Sequence, residues 1–233
     1  MRKFTYLLLT LFLSSLSAQD YIVPESFAHL KQILIEQDSN VFAFIHKDFK
    51  EKFSLTEEFE NENRVEEFIG IVKPDELTKD EYLLSFTMAP SADHAFSFFK
   101  KNGDKYDYSF SILGKQIFIP GNGFIYVSGH TNNWFNKRRK YKIQEGEISE
   151  IEQPHYYVGL KSVTIRPIVL YSDKNENNEV AHLPSNSRVE VVASESQNNQ
   201  EYFLIKTSFG LLGWWKLDHF YEPAINGLFF NGD

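Results

Sequence analysis

The chain has no cysteine. That excludes disulfides, thiolate metal sites and cysteine nucleophiles. Basic residues are in the minority: 24 Lys and Arg stand against 32 Asp and Glu, for a formal net charge of −8. Nucleic acid and anionic lipid both need a basic footprint, so neither is an expected partner. Apolar runs of the ~20 residues needed to cross a bilayer are also missing, so no integral membrane segment is expected. Catalytic signatures are wanting too. There is no His-Glu-x-x-His zinc motif, no phosphate-cradling glycine loop ending in Lys-Ser/Thr and no Gly-x-Ser-x-Gly elbow. The His residues, at 29, 46, 94, 130, 155, 182 and 219, are scattered without metal-ligand spacing. These gaps point away from an enzyme, a cofactor or a metal.

What is present begins with a three-part N-terminal layout. Met1-Arg2-Lys3 is a basic head, residues 6–13 are apolar apart from Thr10, and Ser14-Ser15-Leu16-Ser17-Ala18 supplies small residues. This predicts a secretory signal over residues 1–18, cut after Ala18, and a periplasmic or secreted protein. Its removal takes away Arg2 and Lys3 and leaves the rest still more acidic. Aromatics make up 16% of the chain, including 22 Phe, which favours a packed core over disorder. The remaining length suits one large domain or two small ones.

Residues 19–155 read as an α+β domain. Phe27, Leu30, Ile33 and Leu34 recur at helical spacing, with Pro24 tolerable in a first turn, so a helix is predicted over 20–38. Residues 41–53 suit a strand or a short helix. The acidic run of residues 57–67 is either a solvated surface or a cation site. From Tyr82 onward, aromatic runs with period two alternate with turn residues: Asn102-Gly103-Asp104, Pro120-Gly121-Asn122-Gly123 and Glu145-Gly146. An antiparallel meander of five to seven strands is expected, with one or two helices before it.

Gln153-Pro154 ends that pattern. Residues 156–222 form a second domain and 223–233 an apolar tail. Val163-Thr164-Ile165-Arg166-Pro167 is β-rich, and residues 171–179 make a polar loop. Arg188-Val189-Glu190-Val191-Val192 alternates as a half-buried strand, and Tyr202-Phe203-Leu204-Ile205-Lys206-Thr207 follows. Phe209-Gly210-Leu211-Leu212 turns into Gly213-Trp214-Trp215-Lys216-Leu217. Gly210 and Gly213 are assigned to the turn. Short strands in this number suggest a small barrel, since closure removes exposed edges.

This order of features resembles the bacterial SH3-like domain family over roughly a quarter of the chain, chiefly through Gly210-Leu211-Leu212-Gly213-Trp214. It departs from the family after Arg166, where Pro167-Ile168-Val169 replaces the usual small segment, and at Tyr202-Phe203, where the strand aromatic is shifted. The resemblance implies an all-β SH3-like barrel and a targeting or binding module of exported proteins, for a cell-wall peptide or glycan or for an envelope protein. Residues 19–155 resemble no family.

Trp214 and Trp215 are strand neighbours and must point to opposite faces. The outward ring, beside Tyr171 or Tyr202, can stack on a sugar or peptide, or pack against the first domain or the tail. His130 and Trp134 lie on a polar loop suited to a glycan or to an ordinary turn. The basic cluster Lys137-Arg138-Arg139-Lys140-Tyr141-Lys142 suits an acidic partner or the acidic run of the chain itself, with its charges alternating between faces of a strand. The expected function is an exported non-enzymatic binding or scaffold protein. The alternative is an envelope hydrolase accessory or an enzyme with its site in the first domain, for which His94 and His130 would have to share a cleft with an acid.

Overall fold

The computed structural model describes residues 23–47, 49–51, 66–88, 93–144 and 146–232. The expected signal segment and residues 57–65 of the acidic run lie outside them. In chain order the strands are β1 (Lys31–Leu34), β2 (Phe42–Ile45), β3 (Lys50–Glu51), β4 (Glu66–Val72), β5 (Tyr82–Thr87) and β6 (Ala95–Asn102). There follow β7 (Lys105–Leu113), β8 (Gln116–Ile119), β9 (Phe124–Gly129), β10 (Lys137–Gln144) and β11 (Glu147–Glu150). The last six are β12 (Tyr156–Val163), β13 (Ile168–Tyr171), β14 (Glu179–Leu183), β15 (Arg188–Gln197), β16 (Gln200–Thr207) and β17 (Leu212–Lys216).

These strands form three sheets, and the α+β expectation for the first half is overturned. Among the described residues the helical structure is a single 3-10 turn, Glu25–Phe27. Where a helix was predicted, β1 pairs antiparallel with β2, Lys31 opposite Ile45 and Leu34 opposite Phe42. The spacing misled because the apolar residues serve two faces of one sheet. Ile33 and Ile35 pack on the main core, while Phe27 and Leu30 join a separate cluster with Phe44 and Phe118. A helix would have put Phe27, Leu30, Ile33 and Leu34 on one side, whereas here Leu34 is 65% exposed.

The first sheet runs β1-β2-β8-β9-β10-β11 and the second β3-β4-β5-β6-β7. The second is an antiparallel meander inserted between β2 and β8, which pair in parallel. The antiparallel run expected from Tyr82 onward is divided between two sheets: β5, β6 and β7 complete the second, and β8 to β11 belong to the first. Alternation along the central strands divides their residues between two environments. Ala43, Ile45, Ile117, Ile119, Ile125 and Val127 face the second sheet and meet its Tyr82, Phe86, Phe96, Phe98 and Phe110. Phe98 stacks on Phe110 with centroids 4.6 Å apart. The intervening residues Phe44, Phe118 and Tyr126 form a row across the outer face, in register through Phe44 opposite Phe118 and Phe118 opposite Tyr126. Phe27 covers that row, 4.7 Å from Phe118 and 4.9 Å from Tyr126. Burial on both sides explains why β8 reads as an unbroken buried run.

The third sheet runs β12-β15-β16-β17-β13-β14. Its core gathers Val158, Leu170, Val191, Phe203, Ile205 and Trp215 with tail residues Ala224, Ile225 and Leu228. Two residues from the first half, Trp134 and Phe135, are buried in this same core. Phe135 meets Phe203 edge-on at 6.3 Å, and Trp134 meets Phe220 and Phe230 at 4.8 and 5.6 Å.

Candidate functional site

A groove of ≈ 670 Å³ with a mainly apolar lining lies where the outer face of the first sheet meets β12. That is within the roughly 300–1,000 Å³ typical of small-ligand clefts. Its floor is the ring row of Phe118 and Tyr126 with Phe27, and its far wall is Ile151 and Tyr157. β10 supplies the other wall. Pairing sets Lys140 opposite Tyr126 and Arg138 opposite Ser128, both on the outer face. Lys140 Nζ lies 3.9 Å from the Phe124 centroid and 5.4 Å from that of Tyr126. The Arg138 guanidinium is 5.8 Å from the Tyr157 ring across the groove.

The inward cations of β10 are used differently. Lys137 Nζ sits 3.9 Å over Tyr156, where burial pulls its ammonium below the ordinary lysine range. Arg139 donates to the Leu113 carbonyl. Behind them Tyr156 donates to Glu150 at 2.8 Å, and Tyr141 lies beside the same carboxylate. Burial, aided by Glu150, pushes both phenols up to about 12. These contacts fix β10 against β12 and leave Arg138 and Lys140 facing the opening.

The groove is electrostatically one-sided. Arg138, Arg139 and Lys140 are among its lining residues, and no carboxylate is, among the described residues, in a chain of net charge −8. Neither Arg138 nor Lys140 is in an ion pair within the described residues. Two lining residues also carry a buried polar atom without a hydrogen-bond partner, Asn136 Oδ1 and Arg139 Nε. A buried polar atom left unpaired costs ~1–3 kcal/mol; the Arg139 guanidinium lies on the inner face with Leu113 and Tyr141, so Asn136 is the one of the two that favours a ligand, one that offers a donor.

The six residues singled out in the sequence fall into three places. Trp215 is core, 5% exposed and stacked on Phe203 at 5.9 Å. Trp214 is half-buried on the opposite face, in register with Tyr171. Lys174 Nζ covers it, 5.5 Å from its ring and 5.8 Å from Tyr202, and is held by Glu195. His155 flanks Trp214 at 6.0 Å and pairs with the other Glu195 oxygen at 3.0 Å. The outward Trp thus meets a loop of its own unit. Trp134 is 7% exposed beneath the tail. His130 is pinned there too, its Nε2 2.9 Å from the Phe229 carbonyl and its ring 4.7 Å from Phe229. The Asn132 and Asn231 amides extend this seam by pairing the loop with the tail. His130 and Trp134 therefore hold the chain's own end.

Gly213 also differs from its assignment. It lies inside β17, not in the turn, and a Cβ there would come within 2.7 Å of the Leu170 Cβ. Gly210, at φ 100°, does make the turn. His94 pairs with Asp38 at 3.3 Å beside Phe86, so it and His130 have separate partners. Among the described residues no three His, Asp or Glu are grouped to hold a metal ion.

Of the groove, the sequence had exposed Arg138 and Lys140 as part of the basic cluster. Phe27, Phe118, Tyr126 and Tyr157 carried no signal, because nothing local announces which aromatics line an opening. Comparison with protein-family models, curated proteins and solved structures finds no match.

Proposed function

We propose that the chain is an exported, non-catalytic binding protein of the cell envelope that holds an anionic, partly apolar partner in the groove between its two halves. The observation that carries this is the meeting of Arg138 and Lys140 with a floor of aromatic rings, in an opening free of described carboxylates on an acidic chain. Charges of one sign in a low-dielectric cleft select the opposite sign by Coulombic focusing. Rings supply contact area that does not depend on charge. In this reading the C-terminal unit is an SH3-like module. The β-rich third sheet and the Gly210-Leu211-Leu212-Gly213-Trp214 segment support it, while its own aromatic face, filled by Lys174, makes a poorer site than the groove. Export rests on the basic-apolar-small layout of residues 1–18.

Titration of the immobilised protein at low salt with sodium poly-L-glutamate and with poly-L-lysine tests the reading. Saturable binding of the polyanion alone is expected, weakened about tenfold by Arg138→Ala with Lys140→Ala, a loss of ~1.4 kcal/mol shared between an exposed and a half-buried cation. Binding of neither polymer, or an unchanged affinity in the double variant, overturns it.

A further inference from the structure

We infer that the groove's partner is an acidic protein segment in extended conformation, with carboxylates on alternate residues. The inference rests on the groove being the ligand site. Arg138 and Lys140 stand two residues apart on one face of β10. A strand advances ~3.3 Å per residue, so their points of attachment are ~6.6 Å apart. An extended peptide repeats its same-face side chains at the same ~6.6 Å interval. Asp or Glu at i and i+2 therefore meets both cations together. Lys142, exposed on the same face opposite Phe124, continues the row for a third carboxylate at i+4. A helical partner places i and i+2 on different sides and engages one cation at a time.

The rest of the groove favours a polypeptide over a bare polyanion. Ile151 and Tyr157 are exposed on the far wall. Apolar side chains between the carboxylates cover that wall, and a polyphosphate has nothing to place there. Asn136 Oδ1, a buried atom of a lining residue without a partner, presents an acceptor for a peptide N–H.

The test uses fluorescence anisotropy of the full chain with two labelled peptides of identical composition. One alternates Glu and Val; the other repeats Glu-Glu-Val-Val, which breaks the two-residue spacing. Inorganic polyphosphate serves as competitor, and sodium poly-L-glutamate as a separate ligand. The alternating peptide should bind about tenfold more tightly than its isomer, a preference lost in Lys140→Ala. Equal binding of both peptides overturns the spacing while leaving the groove as an anion site. Stronger binding of polyphosphate than of the alternating peptide overturns the polypeptide assignment. If poly-L-glutamate also fails to bind, the groove itself is not the ligand site.

Discussion

Gly159 takes a left-handed backbone at φ 69°, and a Cβ there would lie 2.6 Å from the Tyr157 ring. It sits where the pairing of β12 with β15 shifts register, between Tyr157 and Leu160. Glycine is needed on both counts, and the bulge aims Tyr157 at the groove. Gly159→Ala should cost ~1–2 kcal/mol of stability for the backbone alone, read by urea denaturation, and should weaken ligand binding by moving the ring. His130 offers a second residue-scale expectation. Burial lowers its pKa, and the charge of Lys115 adds to that. A lowered histidine pKa means the neutral form is favoured in the folded state. Its contribution is complete above the unfolded value of ~6.5 and is lost as pH falls from there toward the folded value. Loosening of the tail in this range, followed by hydrogen exchange of residues 225–232, should vanish in His130→Gln. A tail indifferent to pH in the unaltered protein would show that His130 does not govern it.

Among the elements, the loop of residues 130–135 couples the halves. It buries Trp134 and Phe135 in the third sheet's core and pairs its backbone with Asn231. Truncating a buried Trp costs ~3–5 kcal/mol, so Trp134→Ala should lower the melting temperature markedly. β10 shows how far an element was legible in sequence. Its alternation of cations was readable from Lys137-Arg138-Arg139-Lys140, because period two is fixed by the strand itself. Which face met the groove was not, because that depends on β12, whose Tyr156 captures Lys137 from the other side. The turn at Gly103 and the opposite faces of Trp214 and Trp215 were likewise local matters and could be read. The strand β1 could not, since the same apolar spacing serves a helix face or the two faces of a sheet. The groove, assembled from residues between 24 and 159, was beyond local reading altogether.

At the scale of the whole molecule, the two halves are joined by side chains of the first half, Trp134 and Phe135, that enter the core of the third sheet. The interface is thus part of a core, which makes the halves a single cooperative unit. Scanning calorimetry should give one transition for the unaltered protein and two for Trp134→Ala. Two well-separated transitions without the substitution would contradict the shared core. That joint, with Lys137 over Tyr156, places β10 beside β12, and the groove depends on it. Charge placement belongs to the same scale: an acidic chain leaves Arg138 and Lys140 without an ion pair within the described residues, at an opening floored by rings.

Chemical-shift mapping by NMR, with the alternating Glu-Val peptide added to the isotope-labelled protein, tests the groove most directly. The largest shifts should fall on Phe118, Tyr126, Arg138, Lys140 and Tyr157. Shifts centred instead on Tyr171, Tyr202 and Trp214, or no saturable shifts at all, would contradict the groove as the binding site.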